Sequence, residues 1–475
     1  MSNSGHRLGA LLIGLAGLAL TDTSRAADPP GQTAAAIERG GYLATAADCG
    51  ACHRAPGGKP FAGGLPISTP LGTIYSTNIT PSADFGIGHY TEEQFSRALR
   101  RGIRRDGSNL YPAMPYTSYA KFSEDDAHAL YVYFTQAVKP VDQRAPETEL
   151  PFPMNIRMSM IGWNLLFLDG AAFAPDTTQS AEWNRGAYLV RGAAHCSTCH
   201  TPRGFLMQEE TGRALSGAQV GPWYAPNITS DPISGIGSWN KDDLVAYLRT
   251  GHLSRMAQAA GSMGEAVEHS FQHLSASDLE AVAIYIKSVP AVRDPADDAS
   301  RSVAGRPFSE LTTLRGRDGV RSDDDANPTG AELFQGNCAS CHSAEGQGSK
   351  DGYYPSLFRN SATGARNATN LIAAILYGVD RAAAGKQAFM PGFGGKPTDA
   401  NPLSDRDIAT LGNYVLTHYG AVGVTITEQQ VAEVRRGGPS SPLLMLARGG
   451  MAAGAVVVVL GVALVLFRRR KTASA

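Results

Sequence analysis

The chain is poor in cysteine, and its few cysteines are not scattered. The 475 residues include only six cysteines and four tryptophans. Every cysteine lies in one of three copies of a short motif, so none is left for a separate disulfide framework or a separate metal site. The formal net charge is only −1, so no overall field favours nucleic acid as a partner.

Signatures of a self-contained enzyme are also missing. The chain has no phosphate-binding Walker loop, no G-x-G-x-x-G nucleotide fingerprint and no G-x-S-x-G hydrolase elbow. Hydrophobic residues make up 43% of the chain, which is enough for buried cores, and the length suits about three small domains. We therefore assign no catalytic residue and expect any oxidation of a substrate to occur on another polypeptide.

The sequence does contain three copies of Cys-x-x-Cys-His, at 49–53, 196–200 and 338–342. Two thiols three positions apart can form thioether bonds to the two vinyl groups of one porphyrin, and the adjacent histidine can ligate the iron. A disulfide framework, a four-cysteine zinc site or redox dithiols would not explain the histidine in every copy. We predict three covalent haem c groups, with these attachment residues and proximal ligands: Cys49, Cys52, His53, Cys196, Cys199, His200, Cys338, Cys341 and His342.

An internal repeat surrounds the first two motifs. Arg-Gly-x-Tyr-Leu precedes each motif, at 39–43 and 185–189, and Asn-Ile-Thr follows, at 78–80 and 227–229. The Asn-Ile-Thr triplets resemble glycosylation sites, but we interpret them as structural loop residues. Helical periodicity, glycine stops and serine caps then predict four helices. These are Thr91–Arg101, Lys241–Arg249, Ser123–Val138 and Ser275–Val289.

The register of the repeat predicts the second axial ligands. Met114, Met263 and Met390 each lie 12 residues after a helix-ending glycine, at 102, 251 and 378 respectively. Methionine sulfur is a usual partner of histidine in cytochromes c, and it raises the haem potential. Met263 lacks the proline that follows the other two, so some alternatives remain open for the second haem. These are Met256 and bis-histidine ligation by His252, His269 or His273.

Both termini look non-globular. Residues 1–26 combine a short basic region, an apolar run at 8–20 and small residues before a cleavage position, which predicts a signal peptide. Gly449–Phe467 carries no charge and, as a helix, would extend about 28 Å, close to a hydrocarbon core. Arg468–Lys471 follows at once, so we predict an inner-membrane helix with a cytoplasmic C-terminus and periplasmic haem domains.

The predicted fold class is all-α, with three cytochrome c-type domains in tandem and a C-terminal transmembrane helix. The linker at 292–327 is rich in Arg, Asp, Gly and Ala, and we expect it to be exposed. The linker at 141–180 holds the apolar stretch Ile156–Phe167, which is an inter-domain brace, a partner contact or an in-plane membrane segment, the first two being favoured. The predicted division is 1–26 signal, 27–140 domain one, 141–180 linker, 181–291 domain two, 292–327 linker, 328–421 domain three, 422–448 juxtamembrane, 449–467 transmembrane and 468–475 tail.

The motifs resemble those of a known family. The chain contains two Arg-Gly-x-Tyr-Leu…Cys-x-x-Cys-His…Asn-Ile-Thr…Gly-Ile-Gly repeats, Met-Pro-Gly-Phe-Gly at 390–394, Gly-Gly-Pro-Ser-Ser-Pro-Leu-Leu at 437–444 and the predicted anchor. In these features it is similar to triheme cytochrome c subunits of membrane-bound dehydrogenases of acetic acid bacteria and related proteobacteria. The resemblance implies a large periplasmic subunit with pyrroloquinoline quinone (PQQ) or FAD that oxidises an alcohol, aldehyde or sugar, an alcohol being favoured. A small accessory subunit can join such a complex. The electrons would pass through this chain to ubiquinone.

Two other functions remain open from the residues alone. The chain could be the cytochrome c subunit of a terminal oxidase or another periplasmic reductase, with electrons running the opposite way. A haem peroxidase is the third hypothesis, and it would need an iron with an open coordination site. No motif locates a quinone site. On geometry it should lie near the bilayer surface, where Ile156–Phe167 and the segment before the anchor are candidates.

Overall fold

The structure is a computed structural model that describes residues 30–254, 256–315, 327–397, 399 and 401–473. The predicted signal peptide lies outside these residues. Helices dominate the described chain. They are α1 (Pro30–Ala46), α2 (Cys49–Cys52), α3 (Glu92–Arg101), α4 (Tyr116–Tyr119), α5 (Glu124–Val132), α6 (Ser159–Phe167), α7 (Ala181–Tyr188), α8 (Cys196–His200), α9 (Lys241–Thr250), α10 (Gly261–His269), α11 (Ala276–Ser288), α12 (Leu311–Arg315), α13 (Gly330–Asn337), α14 (Ala339–His342), α15 (Thr369–Tyr377), α16 (Asp405–Tyr419), α17 (Glu428–Arg435) and α18 (Leu443–Ala473).

The all-α prediction was incomplete, because short antiparallel strand pairs join the helices. The pairs are β1 (Pro66–Thr69) with β2 (Gly72–Tyr75), β3 (Ala218–Val220) with β4 (Trp223–Ala225), β5 (His252–Leu253) with β6 (Ala257–Gln258), and β7 (Val379–Ala383) with β8 (Lys386–Met390). In the first hairpin Ile67 faces Ile74 and Ser68 faces Thr73. Cross-strand side-chain pairs such as Ile67 with Ile74 stabilise a hairpin, but strands this short leave almost no periodic signal in the sequence.

The predicted helix ends agree closely with the structure. Thr91 caps α3 in a capping box with Gln94, and Ser123 and Ser275 cap α5 and α11. Gly102 and Gly251 end α3 and α9 in the left-handed conformation, with φ of 63° and 65°. These ends were predictable because capping depends on a few neighbouring residues.

Three similar helix crossings define what we call the first unit (residues 30–138), the second unit (181–289) and the third unit (328–420). In these units α1 packs on α5, α7 on α11 and α13 on α16. A Cβ at Gly40 would collide with the carbonyl oxygen of Ala129, and one at Gly186 would collide with that of Ala281. At the third crossing, a Cβ at Gly330 would lie 2.6 Å from the Cβ of Tyr414. Glycine therefore lets each pair of helices approach closely.

Among the residues that the structure describes, the buried apolar side chains form two clusters and not three. Leu43 and Phe122 of the first unit and Leu189 and Leu279 of the second unit belong to one continuous cluster. The third unit has its own cluster, centred on side chains such as Phe334. The first two units therefore share a core, which the tandem-domain prediction did not include.

The linker after the second unit is exposed or half-buried over residues 292–312, as expected, but it also makes specific contacts. Arg301 donates from Nη1 to the carbonyl oxygen of Ser234 at 2.8 Å. The ring of Phe308 stacks on His418 with centroids 3.9 Å apart, and the Tyr419 hydroxyl donates to the Phe308 carbonyl at 2.7 Å. This segment joins the second unit to the third by specific contacts.

The C-terminal helix α18 begins at Leu443, before the predicted start at residue 449. Leu443–Phe467 is long and apolar enough to cross a membrane, with a mean hydropathy of 2.6, and none of its most apolar window is buried. The preceding helix α17 packs Val431 and Val434 into the core of the third unit. The predicted juxtamembrane segment is therefore partly a component of that unit.

Candidate haem sites

The three cysteine pairs lie on single turns of helix. Each pair occupies positions i and i+3, which share a helix face, on or beside α2, α8 and α14. The six cysteines form no disulfide. Burial raises the pKa of Cys49, Cys196 and Cys338 to about 12 in each case. Redox dithiols need a lowered pKa, so this environment disfavours the dithiol alternative.

The three motif histidines make the same kind of hydrogen bond. Nδ1 of His53 donates to the Thr77 carbonyl at 2.6 Å, Nδ1 of His200 to the Pro226 carbonyl at 2.7 Å, and Nδ1 of His342 to the Pro355 carbonyl at 2.9 Å. A carbonyl can only accept, so the proton is on Nδ1 and the lone pair is on Nε2. This is how proteins orient a histidine that ligates a metal through Nε2.

The electrostatic environment keeps these imidazoles neutral. Burial lowers the pKa of His53 and His342, and it lowers the pKa of His200 to about 4. A protonated imidazole has no free lone pair for a metal, so a lowered pKa favours the ligating form. The donor set of two thiols and one neutral, oriented imidazole fits haem c at each motif.

The Asn-Ile-Thr triplets hold the carbonyls that orient the first two histidines. Oδ1 of Asn78 accepts from the backbone N–H and the hydroxyl of Thr80 at 2.9 and 2.7 Å, while Nδ2 donates to the Val141 carbonyl at 2.8 Å. The second unit repeats this pattern with Asn227, Thr229 and Val292. These asparagine and threonine side chains are buried, which confirms their structural interpretation.

The third unit reaches the same histidine geometry with a shorter loop. Pro355 lies only 13 residues beyond His342, whereas the acceptors in the other units lie 24 and 26 residues beyond their histidines. Here Ser356 accepts from the Phe358 N–H at 3.2 Å, and its own carbonyl accepts from Nδ2 of Asn360 at 3.0 Å. A different loop therefore provides a backbone carbonyl that accepts the same hydrogen bond from the histidine.

The three predicted methionine ligands lie in different local structures. Met114 is in the loop before α4, Met263 is in the first turn of α10, and Met390 ends β8. All three are partly buried. Met114 and Met263 pack against the shared core, as Cys49 and Cys196 do, and Met390 packs with Cys338 against the third core. Their axial role stays a prediction.

The alternative ligands of the second haem differ in their surroundings. Met256 also packs against the shared core, so it remains a rival to Met263. Nδ1 of His252 is hydrogen-bonded to the side chain of Gln258. His269 and His273 are exposed, and Nε2 of His273 lies 3.1 Å from the Glu268 carbonyl. These positions disfavour bis-histidine ligation.

Sequence reasoning missed a reciprocal contact between the first and second units. The Tyr42 hydroxyl donates to Asp278 at 2.5 Å, and Asp278 also accepts two bonds from Arg185 at 2.7 Å each. In the mirror arrangement the Tyr188 hydroxyl and Arg39 both donate to Asp126. Each tyrosine of the Arg-Gly-x-Tyr-Leu repeat thus reaches across to the aspartate of the other unit. The repeat therefore contains the sequence signal of this interface.

The residues immediately before the first two motifs also meet at this interface. Asp48 and His195 have positive φ angles of 51° and 36°. The Tyr119 ring lies 5.7 Å from that of His195, and its hydroxyl donates to the Ala47 carbonyl at 2.8 Å. Burial, and then the charge of Glu265, raise the pKa of Asp48 to about 8.

Arg381 of the third unit is buried and contacts the loop that precedes Met263 in the second unit. Arg381, on β7, is 3% exposed, and its Nη1 donates to the Ala259 carbonyl. A Cβ at Gly251 would lie 2.6 Å from its Nε, so that glycine makes room for the guanidinium. Nε is buried without a hydrogen-bond partner in the described part of the chain. A buried cationic N–H of this kind suits an anionic group such as a haem propionate.

Comparisons with known proteins identify cytochrome c relatives of this chain. A family model for cytochrome c matches residues 328–418. The chain is 46% identical over 473 residues to the fructose dehydrogenase cytochrome subunit of Gluconobacter japonicus, with 96% of each chain covered. It is 38% identical to the gluconate 2-dehydrogenase cytochrome c subunit of Pantoea cypripedii, over 85% of this chain and 90% of the relative. It is 37% identical to the cytochrome c subunit of the quinone alcohol dehydrogenase of Gluconacetobacter polyoxogenes, over 89% and 87%.

Proposed function

The chain belongs to the family of cytochrome c subunits of fructose, gluconate and quinone alcohol dehydrogenases, and from this premise we propose that it carries electrons through three haem c groups to ubiquinone. Bound haem c supplies a one-electron couple at its iron. The observation that supports three groups is the Nδ1-to-carbonyl hydrogen bond shared by His53, His200 and His342. That bond leaves three Nε2 atoms available as ligands.

In this proposal Met114, Met263 and Met390 hold the opposite face of each iron. Histidine and methionine together fill the coordination sphere, which suits a relay and leaves no open position for oxygen or peroxide. The partly buried positions of the three methionines support this role. The peroxidase alternative would require one of them to lie away from its haem.

The electron donor in this proposal is a large dehydrogenase subunit that carries PQQ or FAD, with a small accessory subunit as a further member of the complex. Helix α18 anchors the chain in the inner membrane, the three units face the periplasm, and Arg468–Lys471 stay in the cytoplasm. The three relatives reported above are all dehydrogenase subunits, so the terminal-oxidase alternative is not favoured.

The partner's substrate is an alcohol or a sugar, and a sugar is the first to test. The sequence alone favoured an alcohol. Identity to the fructose dehydrogenase subunit is 46% over 96% of the chain, against 37% over 89% for the quinone alcohol dehydrogenase subunit. A higher identity over a longer span supports a partner of the first kind.

The test is purification of the complex from membranes. Three haem masses on the intact chain, a matching haem content per polypeptide and a co-purifying large subunit would support the proposal. The whole complex, but not the large subunit alone, should reduce a ubiquinone analogue with fructose, gluconate or ethanol. Two haems, or a co-purifying oxygen-reducing subunit, would contradict it. Carbon monoxide binding to the reduced protein at more than one haem would contradict the methionine ligands.

A further inference from the structure

Helix α6, in the linker between the first and second units, exposes an unusual number of apolar side chains. Leu165 is 85% exposed, Met158 75%, Leu166 69% and Ile161 57%. Removing one such side chain from water is worth roughly 1.5–3 kcal/mol. A contiguous apolar surface of this kind marks an interaction site.

The apolar surface extends onto a loop of the second unit. Nε1 of Trp163 donates to the Leu206 carbonyl at 2.9 Å, and this bond fixes the loop beside α6. Phe205 is 63% exposed and Leu206 is 39% exposed. We call these residues the α6 patch: Met158, Ile161, Leu165, Leu166, Phe205 and Leu206.

Polar contacts hold α6 with the patch turned away from the protein. The Tyr116 hydroxyl donates to Oδ1 of Asn164 at 2.7 Å. Just before the helix, Nη1 of Arg157 donates to the Asn109 carbonyl at 2.9 Å, and its guanidinium lies 4.5 Å from the ring centroid of Tyr111. Trp163 and Asn164 of α6 make these contacts with the protein, whereas Met158, Ile161, Leu165 and Leu166 stay exposed.

The segment that leads into α6 contacts the start of the apolar C-terminal helix. Nε of Arg448, in the second turn of α18, donates to the Phe152 carbonyl at 2.8 Å. Phe152, shortly before α6, is 51% exposed, and Met445 in the first turn of α18 is 70% exposed. The chain that enters the bilayer thus starts in contact with the segment that carries the patch.

We propose that the α6 patch rests in the interfacial layer of the same bilayer that α18 crosses, as a second, in-plane attachment of the subunit. The occupant is lipid acyl chain, because the segment that carries the patch contacts the start of α18 at Phe152. A protein partner on this surface would have to fit between the patch and the bilayer. The inference rests on the proposed anchor role of α18. It adds the in-plane alternative for Ile156–Phe167 to the inter-domain brace, which the bonds of α6 to Tyr116 and Leu206 support.

The test uses the full-length holoprotein in nanodiscs of phosphatidylethanolamine and phosphatidylglycerol that contain a phospholipid with a diazirine in its acyl chain. After illumination, mass spectrometry maps the lipid adducts. We expect adducts on α18 and on the patch. Val303 and Tyr353 are 61% and 46% exposed, lie outside the patch, and should carry none. The double variant Leu165→Glu, Leu166→Glu should reduce adducts on the rest of the patch severalfold and leave those on α18 and the haem spectrum unchanged. Val303→Glu is the matched control.

The other outcomes separate the patch from the anchor. Adducts on α18 with none on the patch would overturn the inference and leave the anchor intact. No adducts on α18 would contradict the anchor itself and the topology proposed with it. The same experiment is repeated with the purified complex, which includes the dehydrogenase subunit. If the patch adducts then disappear, the partner covers this surface and the inference is overturned.

Discussion

The reciprocal tyrosine contacts should contribute measurably to the stability of the first two units as one body. Tyr42→Phe removes one hydroxyl, which donates to Asp278 and accepts from the Ser275 N–H at 3.2 Å, and it leaves Asp278 with its two bonds from Arg185. Tyr188→Phe removes the corresponding donor to Asp126. Because the first and second units share a core, each change should affect the unfolding of both units together.

The size of the effect follows from the charge and burial of the partners. A hydrogen bond to a charged group contributes about 1.5–3 kcal/mol. Tyr42 is only partly buried and its acceptor keeps other donors, so we expect a loss of about 1.5 kcal/mol for Tyr42→Phe. Tyr188 is 8% exposed, so Tyr188→Phe should cost nearer the upper figure. The double variant should lose about the sum, unless loss of one contact already loosens the other.

The assay is urea unfolding of the detergent-solubilised holoprotein, followed both by haem absorbance and by far-UV circular dichroism. The control is Tyr131→Phe, whose hydroxyl donates to the Tyr90 carbonyl at 3.2 Å within the first unit. It should cost less than either interface variant. Loss of less than about 0.5 kcal/mol in both interface variants would refute the reasoning, because that is the range of ordinary surface substitutions.

The Tyr42 contact also has a predictable pH dependence. Burial alone would raise the pKa of Asp278, but hydrogen bonds from Arg185 and Tyr42 lower it below its usual value. A carboxyl with a lowered folded-state pKa stabilises the fold above its unfolded pKa of about 4, and that stability is lost as the pH falls further. The difference between the wild type and Tyr42→Phe should therefore shrink below about pH 4. A constant difference would mean that the acceptor is not the ionised Asp278.

Three further predictions concern single residues. Met390→His should leave all haems attached and lower one midpoint in a redox titration, and unchanged potentials would reject Met390 as a ligand. Burial, and then the charge of Glu265, raise the pKa of Asp48 to about 8. The free energy of unfolding should therefore fall as the pH rises from about 4 to about 8, by on the order of 2 kcal/mol because this carboxyl is only partly buried. Asp48→Asn should flatten that dependence in urea midpoints measured across the pH range, and an unchanged slope would place its origin elsewhere. Arg381→Met should remove the bond to the Ala259 carbonyl and lower the free energy of unfolding by about 1–3 kcal/mol, because the buried carbonyl is left unpaired. An unaltered urea midpoint would contradict this contact between the second and third units.

The local parts of this structure could be predicted from the sequence. The Cys-x-x-Cys-His turns depend on five consecutive residues, and the ends of α3 depend on Thr91, Gln94 and Gly102. Helix caps and stops of this kind need no knowledge of the rest of the fold. The role of Asn78 was also accessible, because its partner Thr80 is two residues away. Short-range chemistry therefore explains most of each haem-attachment region.

The joints between units could not be predicted in this way. Tyr42 and Asp278 are 236 residues apart, so no local pattern announces their contact. The segment around Arg301 and Phe308 has the composition of an exposed linker, yet two hydrogen bonds and a stacked ring fix it. Composition averages over a segment, whereas one buried arginine or phenylalanine is enough to fix its path. The same limit explains why the shared core was missed.

These joints bear on the order of the haems from the membrane. The third motif is nearest to α18 in sequence, which suggests that the third haem lies nearest to the bilayer. The structure weakens that reasoning, because the segment before α18 contacts more than the third unit. A Cβ at Gly438 would collide with the carbonyl of Gly221 in the second unit, and Arg448 binds Phe152 in the linker after the first unit. The start of α18 and the segment before it therefore contact the linker and the second unit as well. Chain order alone does not decide which haem delivers electrons to an acceptor in the membrane.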